Sequence, residues 1–524
     1  KKPRTIQKLM TARRYNPFKE LPTDDITLER LRGEFINIMK EARKRNKKKN
    51  PRKLWKSMIM EEIRIIGELW GTRVDHLLPR KPINLKKIRE GKEDVILDEQ
   101  GGIANDENKK RILQNFWEGV LGKERSYDQE ALAQLLEGHP QVTPTSAFKL
   151  DMETLEKLFL RRKKSGPGPD GIPFILHQTA FSRMKDVWHD IINGMAQGDA
   201  KFDDDFYAST LHLIPKGKGT LTPAQYRPIS ITNTDYRLIM RYWAHIMKGC
   251  INDIICKGQK ALLQGRTIDE CLMDAGDDYL DKVFHGKKVW FLQTDFTKAF
   301  DYINREAIRK TFHTLRFPAY ILNMLEHLIK NSVTTIAGDK KGFWSKTGVR
   351  QGCPCSPLVY IVIANLLVRK LEGIEGASTV RAYMDDNGIT IDSAEAMSPI
   401  KNWITLYAAA TSAELNVSKS KITTEEPERT FQGWEGVITG KGTEYLGLWL
   451  SNCYEPKKVW MAPIVKMTAN SSRIKSLKCS LEEKIRLINT HIASLFEYVG
   501  RFSIVPNSIS QMYFKAVRNA LGVH

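Results

Sequence analysis

The chain has 524 residues, of which 41% are hydrophobic and 27% charged. That is enough for three or four cores at roughly 100–200 residues per domain, and too apolar for a chain disordered throughout. The formal charge of +21 lies at the two ends: residues 1–60 hold 19 Lys and Arg against 6 Asp and Glu, residues 456–524 hold 11 against 3, and the stretch between them is neutral.

Basic ends on a neutral body suit a polyanion gripped from outside the centre, because each neutralised phosphate releases counterions. The plainer reading of ARKRNKKKNPRK at 42–53 is a solvated lysine-rich segment or a nuclear-localisation signal. The longest apolar run, Pro357 to Val368, is shorter than the roughly 17–25 residues that span a bilayer, so no membrane-spanning helix is expected. The opening KKPRTIQK lacks the apolar segment of a secretory signal, and the seven cysteines form no CxxC pair. A reducing, intracellular and nuclear setting without structural zinc is expected. A first residue that is Lys and not Met is what a fragment or processed product would show.

Residues 26–50 and 54–72 read as helices flanking the basic run. Ile112, Phe116 and Val120 recur every four residues and predict an amphipathic helix ending before Gly122. A helix over 151–164 runs into SGPGPDGIP at 165–173, a stiff loop whose prolines and glycines cannot continue it. LHLIPK at 211–216 and VWFLQTDF at 289–296 read as strands, and RAYMDDNGITI at 381–391 reads as a hairpin turning at Asp-Asp-Asn-Gly. Ser356 and Pro357 should cap and open a helix whose buried face is 358–368. Residues 456–524 read as all helix, with a Ser480–Glu483 capping box and an apolar stripe of Leu481, Ile485, Ile488, Ile492, Leu495 and Val499.

Asp295 follows one strand, and Asp385 and Asp386 stand at the hairpin turn. If those strands share a sheet, the three carboxylates form a hard oxygen site suited to Mg²⁺. Two such ions about 3.5–4 Å apart would serve an in-line phosphoryl displacement. Read alone, each segment has a plainer explanation, since Asp-Asn-Gly is common turn chemistry and an acid after a strand often only caps a helix.

The order of the segments adds what no single one carries. SGPGPDGIP, LIPKGKG with QYRPISITN, FLQTDFTKAFD, GVRQGCPCSPL, AYMDD, LNVSKSK and EYLGL follow one another over residues 165–449. Together they resemble the consecutive blocks of a reverse transcriptase of the non-LTR retrotransposon (LINE-type) family. ILDEQGGIANDENKKRILQNFWEGVLG at 96–122 and GQKALLQGRTIDE at 258–270 are similar to that family as well.

The resemblance implies an α+β right-hand polymerase fold: a palm with an antiparallel sheet and helices, fingers, and a helical thumb. The corresponding divisions are a basic helical extension at 1–150, fingers and palm at 151–455, and the thumb at 456–524. It implies an RNA-templated DNA polymerase that extends a DNA primer on template RNA with dNTPs, using two Mg²⁺ ions or Mn²⁺ in their place.

Residue by residue, Asp295, Asp385 and Asp386 resemble the metal-binding catalytic carboxylates, with Phe296 beside them as a further metal position. Lys216 and Arg227 resemble the cations that hold the triphosphate, Arg227 as a bidentate fork and Lys216 as a point charge. Lys419 resembles a lysine that could donate a proton to pyrophosphate, with Lys421 as a competing assignment. Gln351 and Gly352 match the loop that contacts template and nucleotide. Phe300 matches the ring beneath the incoming sugar that would collide with a 2′-hydroxyl. Tyr445, Leu446 and Gly447 resemble the hairpin that grips the primer terminus, where an ordinary edge strand is the plainer reading.

Three features depart from or complicate the pattern. Met384 stands where this branch more often has alanine or valine, Asp301 follows Asp295 at a spacing that RNA-copying RNA polymerases also use, and neither an endonuclease motif nor a zinc knuckle is present. The alternative functions are a non-catalytic, maturase-like RNA-binding scaffold and an RNA-dependent RNA polymerase.

Overall fold

The computed structural model describes residues 96–523, apart from 98–101, 144–146, 162–165, 175–176, 179–180, 182–184, 217–218, 338–340, 428 and 452–454. The helices expected over 26–50 and 54–72 and the basic run between them lie outside the described residues. Over the described residues the fold is α+β, with three sheets.

Ser209–Pro215 (β1) pairs antiparallel with Tyr226–Thr232 (β2), from Ser209 opposite Thr232 to Pro215 opposite Tyr226. Further strands are Trp290–Thr294 (β3), Ser332–Ile336 (β4), Gly342–Ser345 (β5), Ala377–Tyr383 (β6), Asp386–Ile391 (β7), Lys421–Thr423 (β8) and Ile438–Gly440 (β9). The four-stranded sheet has the order β2-β1-β4-β5 and the five-stranded sheet β6-β7-β3-β8-β9. Gly442–Tyr445 (β10) and Leu448–Ser451 (β11) form a separate hairpin.

β3 is the middle strand of its sheet and is covered on both faces. Successive side chains of a strand point to opposite faces. Trp290 and Leu292 accordingly join the core shared with helices Ser356–Glu372 and Met397–Thr411, while Phe291 joins Cys271, Leu272, Ala275 and Tyr279 of helix Ile268–Phe284. This two-sided burial is why residues 289–292 are continuously apolar and do not alternate.

Helix Ser356–Glu372 is buried all round, with every residue from Leu358 to Val368 in the core and not only one face. Its N-cap is Cys355, not Ser356, and the Cys355 thiol donates to the Met240 carbonyl at 2.9 Å. The loop at 166–173 is pinned to the start of helix Thr234–Ile251: Asn233 Oδ1 accepts from Asp170 N–H at 3.1 Å, and the Thr234 hydroxyl donates to the Ile172 carbonyl at 2.9 Å.

Two expected helical faces are rotated from their places. In helix Asp106–Leu121 the buried residues are Leu113, Gln114, Trp117, Val120 and Leu121, with Ile112 and Phe116 only partly covered. At the C-terminal end, helices Pro456–Lys475, Leu481–Ile488, Ser494–Gly500 and Asn507–Leu521 pack together, and the Ser480–Glu483 capping box forms. There, however, Leu481 and Ile485 are 63% and 45% exposed, whereas Leu487, Ile488, Ile492 and Val499 are buried. The turn Asn489–Ala493 is π-helical, and one extra residue per turn swings the upstream stripe by about 100° from the downstream one.

Six cysteines are described, all free and five of them buried. Among the described residues no helix is long and apolar enough to cross a membrane.

Candidate active site

β3 and β7 run antiparallel with Thr294 opposite Asn387. Continuing that register by one residue sets Asp295, just past β3, against Asp386, the first residue of β7. Tyr383 pairs with Asp386 across β6 and β7, so the hairpin closes through Met384 and Asp385, earlier than the Asp-Asp-Asn-Gly composition suggested. The left-handed turn residue is Met384, at φ 62. Gly388 instead lies inside β7, where a Cβ would stand 2.6 Å from the Phe291 ring and 2.7 Å from the Tyr445 ring. The glycine is there for space, not for the turn. Asn387 donates to the Thr294 hydroxyl at 3.2 Å and braces the two strands beneath the carboxylates.

The three aspartates act on one another. Burial raises the pKa of Asp295, and the Lys419 and Lys216 charges and a hydrogen bond with Asn416 oppose it. Burial also raises Asp385, the Asp295 charge adds to it, and Lys216 and Arg227 pull it back. Asp386 is pushed up to about 6 by burial, then by Asp385 and Asp295. It is also the most solvent-exposed of the three, so water screens part of that effect.

Among the described residues no three His, Cys, Asp or Glu side chains are gathered as a ready metal cage. The donor set nevertheless fits Mg²⁺, which binds through one or two carboxylates and completes its octahedron with water and substrate phosphate. Oxygen donors that resist ionising together are the kind that a divalent cation relieves. At Phe296 only the main-chain carbonyl could ligate, because its ring is buried against Tyr407 at 5.5 Å. The flanking bonds, Thr297 N–H to the Glu414 carbonyl and Asn416 N–H to the Asp295 carbonyl, leave the polar groups of Phe296 facing away from residues 414–416.

A cationic arc faces the carboxylates. Lys216 follows β1 directly and Arg227 lies on β2 opposite Ile214, both exposed. Partial desolvation beside its neighbours, which water offsets in part because the residue is exposed, lowers the Lys216 pKa first, then Lys419 and Arg227, against the pull of Asp295 and Asp301. Lys419 is exposed on the turn before β8, whereas Lys421 lies within β8 opposite Gln293. Lys419, not Lys421, is the cation whose charge acts on Asp295.

The Phe300 ring stacks on Tyr360 with centroids 4.3 Å apart at 14°, and its carbonyl accepts from Val349 N–H at 2.9 Å. Tyr360, from the central buried helix, is the wall that holds it flat. Gln351 donates to both carboxyl oxygens of Asp301, and its carbonyl accepts from Ser230 N–H at 2.7 Å. Gly352 has φ +115 and leaves no room for a side chain, since a Cβ would stand 2.6 Å from the Ser230 carbonyl oxygen.

Tyr445 is 1% exposed, with its ring edge-on to Phe291 and its hydroxyl donating to the Arg381 carbonyl at 3.2 Å. It is a packing residue on the inner face of the β10–β11 hairpin. Leu446 and Gly447 form the tip, both at positive φ, and the Tyr498 hydroxyl donates to the Leu446 carbonyl at 2.6 Å.

Lys298 joins this neighbourhood without a sequence signal of its own. It is left-handed at φ 48, with Nζ 4.2 Å from the Trp117 ring centroid and donating to the Ala224 carbonyl at 2.7 Å. Burial pushes it down to about 8, against the pull of Asp301 and with Lys216 and Lys419 adding to the fall. Only its place inside the KAFD phrase marked it, and Trp117 and Ala224 are too distant in sequence to suggest these contacts.

Residues 214–450 match the family described as "Reverse transcriptase (RNA-dependent DNA polymerase)". Over 412 residues the chain is 24% identical to the "Transposon TX1 uncharacterized 149 kDa protein" of Xenopus laevis, covering 73% of this chain and 30% of that protein. It is 26% identical over 214 residues to the "Retrovirus-related Pol polyprotein from type-1 retrotransposable element R2" of Nasonia vitripennis, covering 40% of this chain and 20% of that one. The chain thus spans less than a third of the length of either relative. Among solved structures it is similar to apo telomerase from Candida tropicalis, at 11% identity and a TM-score of 0.36 over 65% of this chain and 66% of that one. Residues 214–450 thus carry the domain of the reverse transcriptase family, the relatives they resemble are a transposon protein and a retrotransposable-element polyprotein, and the fold of the described residues is α+β.

Proposed function

We propose that this chain copies template RNA into DNA by extending a primer with dNTPs, and that Asp295, Asp385 and Asp386 are its catalytic carboxylates. The observation that supports it best is the β3–β7 register, which sets Asp295 against Asp386 with Asp385 at the adjoining turn and Lys216, Arg227 and Lys419 around them.

In this reading the primer 3′-hydroxyl attacks the α-phosphorus of the dNTP, and the bond from that phosphorus to the departing pyrophosphate breaks in line with the attack. A pair of divalent ions, Mg²⁺ or Mn²⁺, supplies Lewis acidity and a polarised hydroxyl when bound. Asp295, Asp385 and Asp386, with the Phe296 carbonyl, would hold them. Arg227 and Lys216 neutralise the triphosphate and Lys419 hands a proton to the pyrophosphate. Phe300, laid flat by Tyr360, closes the space that a ribose 2′-hydroxyl would need.

Residues 1–150 are assigned to a basic extension that contacts template RNA, 151–455 to fingers and palm, and 456–524 to a thumb along the RNA–DNA duplex. The hairpin tip at Leu446 and Gly447 is assigned to the primer terminus, and the setting is nuclear.

Primer extension on poly(rA)/oligo(dT) with dNTPs and Mg²⁺ tests this, run beside the Asp385→Ala, Asp386→Ala double substitution. Labelled DNA is expected only from the unsubstituted chain. Equal product from both removes the carboxylates from the chemistry, and RNA binding without any polymerisation by the parent favours a scaffold instead.

A further inference from the structure

The turn that presents Asp385 is strained and braced from outside its own hairpin. Met384 is a non-glycine residue at φ 62, a conformation that persists only where the surroundings over-determine it. The brace comes from Gln259, in the GQKALLQGRTIDE segment, some 125 residues upstream.

Gln259 is fully buried at 0% exposure. Its backbone lies parallel to β6 and bridges Ala382, with Ala382 N–H donating to the Gly258 carbonyl and Lys260 N–H to the Ala382 carbonyl, each at 2.9 Å. The segment therefore covers the open edge of β6. The side chain then reaches the turn: Oε1 accepts from Met384 N–H at 3.2 Å and from Ala261 N–H at 3.1 Å, and Nε2 points at the Met384 carbonyl at 3.4 Å. Both main-chain polar groups of Met384 thus meet one carboxamide. The clamp is itself anchored, because Arg266 donates to the Gln259 carbonyl at 2.7 Å and to the Ile255 carbonyl at 3.1 Å. Gly258 has no space for a side chain, since a Cβ would stand 2.7 Å from the Val380 carbonyl oxygen.

We infer that Gln259 is a positioning residue for Asp385: by holding both polar groups of Met384 it sets the direction in which the next residue offers its carboxylate to a divalent ion. This rests on the polymerase reading only in taking Asp385 as a metal ligand. A hydrophobic filler would bury as well, but it could not fix a left-handed peptide unit from both sides.

The test is Mn²⁺ binding, read from the loss of the free-ion EPR signal, on the wild-type chain and on Gln259→Met, Gln259→Glu and Asp385→Asn. dNTP incorporation is measured against Mg²⁺ concentration, and thermal unfolding is followed in parallel. Gln259→Met keeps the volume and loses both bonds. It is expected to weaken Mn²⁺ binding about 10-fold and to raise the half-activating Mg²⁺ concentration by a similar factor, with KM for dNTP unchanged. Gln259→Glu keeps the acceptor for Met384 N–H and loses the donor, so it should fall between; it carries the test alone if the Met variant does not fold. Wild-type Mn²⁺ affinity and Mg²⁺ requirement in both variants, with activity following only a lower Tm, overturns the inference. A wild-type chain that incorporates no dNTP, yet binds Mn²⁺ more tightly than the Gln259 variants, supports the clamp and overturns the polymerase reading instead.

Discussion

The Gln351 carboxamide nitrogen stands 3.1 and 3.0 Å from the two carboxyl oxygens of Asp301, so the loop residue expected to meet template and nucleotide is aimed by a buried acid. Asp301 is 3% exposed. Burial pushes its pKa up to about 7, against the pull of Lys298 and of the Gln351 bond. The folded chain therefore keeps a proton that the unfolded chain releases near its ordinary 3.8. The stability tied to that proton is complete below about 4 and is lost as pH rises to about 7. Asp301→Asn is expected to flatten the fall in Tm between pH 4 and 7 and, in kinetics run above pH 7 where the carboxylate is ionised, to lower kcat/KM for dNTP about 10-fold by removing one of the two acceptors that Gln351 meets. Thermal melts across that range and steady-state dNTP kinetics check both, and an unchanged melting profile would remove Asp301 from the titration.

The three facing aspartates make an opposite pair of demands on stability and on activity. All have raised pKa values, with burial first among the causes and mutual repulsion adding at Asp385 and Asp386. Without divalent cations the fold is therefore expected to lose stability as pH rises from about 4 to about 6, the side on which these acids ionise. Asp385→Asn is expected to raise Tm at pH 7 in EDTA and to cut primer extension by roughly 10³-fold or more. Adding Mg²⁺ should raise the wild-type Tm and leave that variant's nearly where it was. A Tm lowered by the substitution in EDTA would mean that the carboxylate is a structural acceptor and not a strained ligand.

What was legible along the chain was whatever short-range patterning encodes. The apolar strand before Asp295 and the β-rich flanks of the Asp-Asp pair could be read directly, because side-chain alternation and apolar runs are local signals. In the sequence Gly388 reads as turn chemistry, whereas the rings of Phe291 and Tyr445 exclude a Cβ there and Met384 takes the left-handed position two residues before the Asp386–Asn387–Gly388 stretch begins. Ser356 likewise looked like a cap, but the chain enters that helix one residue earlier, at Cys355. The stripe from Leu481 to Val499 assumed a uniform α-helix, and the π turn at Asn489–Ala493 breaks its phase. No local pattern could have told that Thr294 meets Asn387, that Lys298 lies over Trp117 or that Gln259 reaches Met384, since each joins segments about 90 to 180 residues apart.

Sugar selection hangs on a stacked pair. Phe300 lies flat on Tyr360, which is 2% exposed and fixed within the buried stretch 358–368 of helix Ser356–Glu372. A ring supported in this way cannot swing aside cheaply, so its edge acts as a wall. Phe300→Val is expected to keep dNTP incorporation within severalfold and to reduce discrimination against rNTPs by about 10–100-fold, the range for removing a few methylene-sized contacts. Tyr360→Leu should do the same more weakly by loosening the support. Ratios of kcat/KM for dTTP and UTP on the same primer–template measure it, and an unchanged ratio in Phe300→Val would place the sugar elsewhere.

Two glycines with positive φ separate backbone freedom from close approach. At Gly171, φ is +74 and nothing stands within 4 Å of an added Cβ; at Gly352, φ is +115 and the Ser230 carbonyl oxygen would lie 2.6 Å away. Alanine at 171 meets only the left-handed backbone penalty, about 1–2 kcal/mol. Alanine at 352 adds a collision that must push the loop off β2 and stretch the Ser230 N–H bond to the Gln351 carbonyl. Gly352→Ala is therefore expected to cost about 2–4 kcal/mol and to lower dNTP kcat/KM by more than its stability loss explains, because Gln351 moves with the loop. Gly171→Ala should show the smaller stability cost with catalysis intact. Denaturant melts paired with dNTP kinetics at a temperature where both variants are folded decide it, and equal effects from the two would mean that the contact with Ser230 places no demand on the nucleotide loop.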